Sequence, residues 1–198
     1  MHTDPLLTML LYFVIPLWFV AGIADWFCHR ASDIEHTTGA KESLIHLLMF
    51  VQVGLPLAAA LIFEVNALII GLIIVLFFVH EATALWDVSY AVTGRRVSPI
   101  EQHVHSFLEM IPLAAGLLII GMHWSQFLAL FGAGSEPARF TLELKQNPLP
   151  WQYVVTVLGA AALIEFAPYV EELLRGLRAG TLSAARRAQG YSQGASRR

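Results

Sequence analysis

Apolar residues run along this chain in five long blocks separated by short polar stretches. The blocks cover about 6–27, 44–63, 65–86, 107–131 and 153–174. Each approaches the ~20 residues that a helix needs to cross the hydrocarbon core of a bilayer. The first has no basic leader and no small-residue cleavage site, so it reads as a span and not a signal peptide. The turn from the second block into the third runs through Glu64, Val65 and Asn66, which predicts a tight antiparallel hairpin. Pro16, Pro56 and Pro112 fall inside blocks one, two and four, where a proline removes a backbone hydrogen bond and kinks the helix. The expected architecture is all-α, a polytopic membrane bundle of about five transmembrane helices. It forms one domain over residues 1–198, with a polar tail from about 175.

Composition points the same way. Hydrophobic residues make up 57% of the chain and charged residues 14%, against about 25% charged in a soluble domain. The mean hydropathy is +0.62. A net charge of −3 offers no basic surface for nucleic acid, so none is expected as a partner. Cys28 is alone, which excludes an intrachain disulfide and any multi-cysteine cluster.

The basic residues divide by side. Arg30, Lys41, Arg95, Arg96, Arg175, Arg178, Arg186, Arg187, Arg197 and Arg198 fall on one side of alternating spans, and only Arg139 and Lys145 on the other. The positive-inside rule then puts the N-terminus outside and the C-terminus in the cytoplasm, with a bacterial inner membrane as the expected location.

The polar residues inside and beside the blocks are where chemistry is expected. Six of eight histidines (His29, His36, His46, His80, His103 and His105) lie toward the predicted cytoplasmic ends of the first four spans. Carboxylates accompany them at helical spacing: Asp25 with His29, Glu42 with His46, Glu101 and Glu109 one turn either side of His105, and Asp87 seven residues after His80. Residues three, four or seven apart share a helix face. Ionisable groups in apolar spans are costly, and they face the bundle interior in pairs or around a cofactor.

Mixed imidazole and carboxylate donors on facing helices suit two divalent ions, iron first and zinc as the alternative. The expected ligands are Asp25, His29, His36, Glu42, His46, His80, Asp87, Glu101, His105 and Glu109, with Glu42, Asp87 and Glu109 as the carboxylates that act in catalysis. His103 projects from another face than His105 and is expected to support the ligands from behind. Glu165, deep in the fifth block, stays open between a structural hydrogen bond and a proton relay.

On Asp25-x-x-x-His29, Glu35-His36, Glu42-x-x-x-His46, His80-Glu81 and His103-x-His105-x-x-x-Glu109, the segment from Asp25 to Glu109 resembles the histidine-rich membrane-bound di-iron oxygenases and desaturases. That resemblance implies a cytoplasmic di-iron site, oxidation of a membrane lipid or other lipophilic substrate by dioxygen, and an external electron donor. Two other classes stay open from the residues alone. One is a zinc-dependent membrane hydrolase of a lipid amide or ester, with a metal-bound water as nucleophile. The other is a metal-ion or proton transporter. The chain holds no glycine-rich nucleotide-binding turn, so electrons for an oxidation must come from a partner.

Overall fold

The structure is a computed structural model, described here over residues 4–180. Five helices are long and apolar enough to cross a membrane: α1 (Pro5–Ala31), α2 (Ala40–Ile62), α3 (Ala67–Gly94), α4 (Pro99–Met122) and α6 (Trp151–Gly180). A short α5 (Trp124–Leu130) follows α4. Among the described residues no strand forms, apart from one isolated antiparallel bridge between Phe63 and Leu144. Phe13, Phe27, Phe78, Leu85 and Leu163 are exposed on the outside of the bundle, as expected where the surrounding solvent is lipid.

Local signals set the helix ends. The Asn66 side chain accepts from the N–H groups of Leu68 and Ile69 and starts α3. The expected 64–66 hairpin forms, and α2 packs along α3. Ser98 and Glu101 make a reciprocal capping box that starts α4 at Pro99, well before the apolar block at about 107. That early start matters, because it puts Glu101 and His105 on helix and not in a loop. The same apolar block reads through His123 to Phe131, but the helix ends at Met122 and α5 turns away. The region expected as a polar tail from about 175 is still helix through Gly180. Arg186, Arg187, Arg197 and Arg198 lie outside the described residues.

Two helices contain a wide turn. A π-turn at Leu10–Val14 sits just before Pro16, and another at Ala161–Phe166 just before Pro168. Proline lacks the N–H that would bond four residues back, and its ring crowds that carbonyl. A widened turn accommodates both faults. Pro168 is a fourth intrahelical proline beyond the three noted above. Pro56 and Pro112 lie within α2 and α4 without such a turn.

Helix neighbours close a ring in the order α1, α4, α3, α2, α6 and back to α1. Its apolar core includes Val14, Trp18, Ile69, Ile70, Ile111 and Ile119. At one end the 32–39 connection and the 95–98 connection lie over the bundle. At the other, the 132–150 loop is pinned down by side chains and backbone. Gln126 accepts from the N–H groups of Ala67 and Arg139, Asn66 donates to the Thr141 carbonyl, and the Lys145 N–H bonds the Ile62 carbonyl.

Candidate functional site

Each of the five long helices sends polar side chains to one buried place. From α1 come Asp25 and His29, from α2 Glu42 and His46, from α3 Asp87, from α4 Glu101 and His105, and from α6 Tyr169 and Glu172. All are buried. At 1.5 Å per residue, His46 and His105 sit about 9 Å along their helices from the ends that carry the short connections.

The central piece of geometry is Glu172. Its two carboxylate oxygens accept from Nδ1 of His29 and Nδ1 of His46, each at 3.0 Å. An ionised carboxylate is an acceptor only, so both imidazoles carry their proton on Nδ1. The two rings stack in parallel, 4.2 Å apart at a 10° angle. Their Nε2 atoms face the other acids.

Those atoms gather without pairing properly. His46 Nε2 lies 3.2 Å from Asp87 Oδ1, and His29 Nε2 lies 3.5 Å from Asp25 Oδ1 and 3.8 Å from Glu101 Oε1. Yet His29 Nε2, His46 Nε2 and Asp87 Oδ1 make no hydrogen bond of acceptable angle. His105 Nε2 lies 2.9 Å from Asp25 Oδ1, and Tyr169 donates to Asp25 Oδ2 at 3.1 Å. Two sets of ligand atoms each fall within 4.8 Å of one another: Asp25, His29 and His105, and His29, Glu42 and His46. They share His29, so the two sets adjoin.

A guanidinium closes one side of this group. The Arg95 Nη2 sits 2.5 Å from Glu42 Oε1 and 2.6 Å from Glu101 Oε1. Burial opposes its charge, but Glu101 and Glu42 outweigh that and push its pKa above the ordinary guanidinium value. Glu42 and Glu101 thus share the Arg95 guanidinium, while the Arg175 guanidinium acts on Glu172 at longer range.

Two glycines let α6 come close enough to contribute. A Cβ on Gly176 would lie 2.8 Å from the Ala40 backbone nitrogen, so only glycine allows this contact between α6 and the start of α2. That contact sets Glu172, one turn earlier, against His46. A Cβ on Gly22 of α1 would overlap the Glu165 carboxylate. Glu165 is buried, its Oε1 has no partner, and it borders the site between Asp25 and Tyr169.

Seven of the residues expected as ligands (Asp25, His29, Glu42, His46, Asp87, Glu101 and His105) come together here. Three lie apart from these seven. His80 lies next to the Met49 and Leu108 backbone, with neither ring nitrogen properly hydrogen-bonded, at the wall of an adjoining cavity. Glu109 is half-buried on the same wall. His36 is on the surface, 64% exposed at its side chain and 2.8 Å from Asp33. It belongs to a separate exposed group with Asp33 and Glu35, because the 32–39 connection turns outward after Ile34 anchors it. His103 is also exposed and packs against Phe107.

Sequence reading missed Glu172, Tyr169 and Arg95. A signal for two of them was there: Glu165, Tyr169 and Glu172 repeat at four and three residues along one face of α6. Arg95 gave no sign, since a basic residue after a span reads as an interfacial charge.

The chain matches no family model, no curated protein and no solved structure.

Proposed function

We propose that this protein is a dinuclear-metal membrane oxidoreductase acting on a lipophilic substrate, with iron as the metal. The observation that carries the reading is the convergence of unpaired imidazole Nε2 atoms and carboxylate oxygens in a buried site. With neutral imidazoles, the five carboxylates Asp25, Glu42, Asp87, Glu101 and Glu172 would outnumber the guanidinium groups beside them inside an apolar bundle. Uncompensated charge there is strongly unfavourable. Divalent cations would offset that excess of negative charge.

Asp25, His29 and His105, with Glu101 beside them, would hold one metal; His46, Glu42 and Asp87 would hold the other. The carboxylate-rich donor set fits iron or manganese better than a site built for zinc alone. Bound metals of this kind supply dioxygen activation. Glu172 fixes the tautomer and orientation of both facing imidazoles, as carboxylates behind metal-bound histidines do. Arg95 holds Glu42 and Glu101 at a fixed separation. For a hydroxylation the balance is one dioxygen, two electrons and two protons: one oxygen atom enters a substrate C–H bond and the other leaves as water. The electrons come from a redox partner protein. The ten-to-two split of basic residues supports a cytoplasmic site, N-terminus out and C-terminus in, in a bacterial inner membrane.

Metal analysis of the purified protein tests this. About two irons per chain are expected, in line with two-metal sites, together with reductant-dependent dioxygen uptake stimulated by lipid. One zinc per chain and no dioxygen uptake would instead indicate the hydrolase, and a metal-free protein would end the metal reading altogether.

A further inference from the structure

The candidate site continues into open space. A cavity of about 50 Å³ adjoins it, bordered by Asp25, His46, Asp87, His105, Glu109 and Glu165. A larger cavity of about 400 Å³ occupies the other half of the bundle, a size within the range of small-molecule sites. Trp18, Val53 and His80 belong to the walls of both. The larger one reaches from Trp18 back to Asp4 along α1 and from His80 back to Val65 at the start of α3. At 1.5 Å per residue that is about 20 Å deep.

Its walls are aliphatic and aromatic over most of this depth. Polar groups gather at the far end, where Asp4, Glu64, His123, Lys145 and Asn147 meet under the 132–150 loop. A cavity so much longer than it is wide, with apolar walls, suits an extended alkyl chain lying along it. Gly116 keeps the column open opposite Ile73, whose Cγ2 a Cβ would meet at 3.3 Å.

We infer that this cavity takes the aliphatic chain of an amphiphile whose polar head stays under the 132–150 loop, at the opposite end of the bundle from the candidate site. The far end of the chain, not the head, then reaches past His80 to the site. Entering from the site's own end would carry a polar head through a closely packed group of buried side chains and on into apolar walls that leave it unpaired. Under the loop, the polar groups of Lys145, His123 and Asn147, with Asp4 and Glu64 beside them, offer a head both donors and acceptors. The substrate class rests on the oxidoreductase reading above, with the same atom balance now falling on a carbon remote from the head. The binding geometry rests on the cavity alone.

Two palmitic acid photoprobes test this on the full chain in nanodiscs, one with a diazirine at the chain terminus and one with it beside the carboxylate. After irradiation, labelled residues are mapped by mass spectrometry, and metal content is measured on the same samples. The terminal probe is expected to label around Trp18, Val53 and Phe77, and the carboxylate-side probe around Leu7 and Leu149, both displaced by unlabelled palmitic acid. Ala60→Trp, or Leu7→Trp nearer the mouth if the first does not fold, should lower terminal-probe labelling about tenfold or more, a loss of about 1.4 kcal/mol, at unchanged metal content. The reverse order of labelling, or terminal-probe labelling confined to lipid-facing residues such as Phe13, Val20 and Leu55, would overturn the inference. The expected labelling on a metal-free protein would sustain chain binding while removing the oxidoreductase reading.

Discussion

Glu172→Gln is the most direct test of how the site is held. The wild-type carboxylate accepts two N–H bonds at 3.0 Å, one from each of two stacked imidazoles. A carboxamide has one acceptor oxygen, so one imidazole keeps its bond and the other faces an NH₂ group. The orphaned buried N–H costs about 1–3 kcal/mol. It also releases that ring to rotate or change tautomer, which removes its Nε2 lone pair from the site. Losing such a support behind a metal-bound histidine lowers metal affinity about 10–100-fold, or about 1.4–2.8 kcal/mol, which matches the cost of one orphan. Glu172→Ala orphans both imidazoles and should fall at or beyond the upper end. The assay is metal retention against a graded chelator, with thermal melting in detergent on the same samples. Glu172→Gln that melts lower but keeps metal affinity within about twofold of wild type would refute the reasoning, because loss of a supporting carboxylate predicts at least tenfold. Glu172 would then be a packing residue of α6.

Other outcomes follow from the same geometry. Ala substitution of His46 or His105 should abolish metal binding, while His36→Ala should leave metal content unchanged, since His36 is exposed and away from both ligand sets; metal loss from His36→Ala would move the site to the 32–39 connection. Gly176→Ala should destabilise by about 1–3 kcal/mol, the usual cost of overpacking, with a fall in metal affinity as Glu172 is pushed off His46; an unchanged melting point would show that α6 does not depend on this contact. The hydrogen bond and charge of Asp33 raise the His36 pKa. The contact is therefore fully present below an ordinary histidine pKa and is lost as pH rises through the raised one. The His36 midpoint by NMR should fall in Asp33→Asn; an equal midpoint would show that the pair does not form.

The helical architecture was legible because bilayer thickness imposes a length on every apolar run. Five blocks became five long helices, and the 64–66 turn became the hairpin it predicted. Helix ends were less legible, since hydropathy averages over a window while a cap is a local hydrogen bond. Ser98 and Glu101 started α4 far ahead of its apolar block for that reason. Spacing within a helix placed Asp25 with His29, Glu42 with His46 and Glu101 with His105, because those pairs lie on one face of one element. Which faces meet is a tertiary question. The ring order of helices, set by packing and by close approach at Gly176 and Gly22, brought α6 across the site and supplied Glu172 from a helix that looked almost inert. The same packing turned Arg95 inward and His36 outward, although both sit in short polar connections. It also left His80 on a cavity wall and not among the ligand sets. Sequence could mark which residues are costly to bury; only the folded bundle decided which of them are buried together.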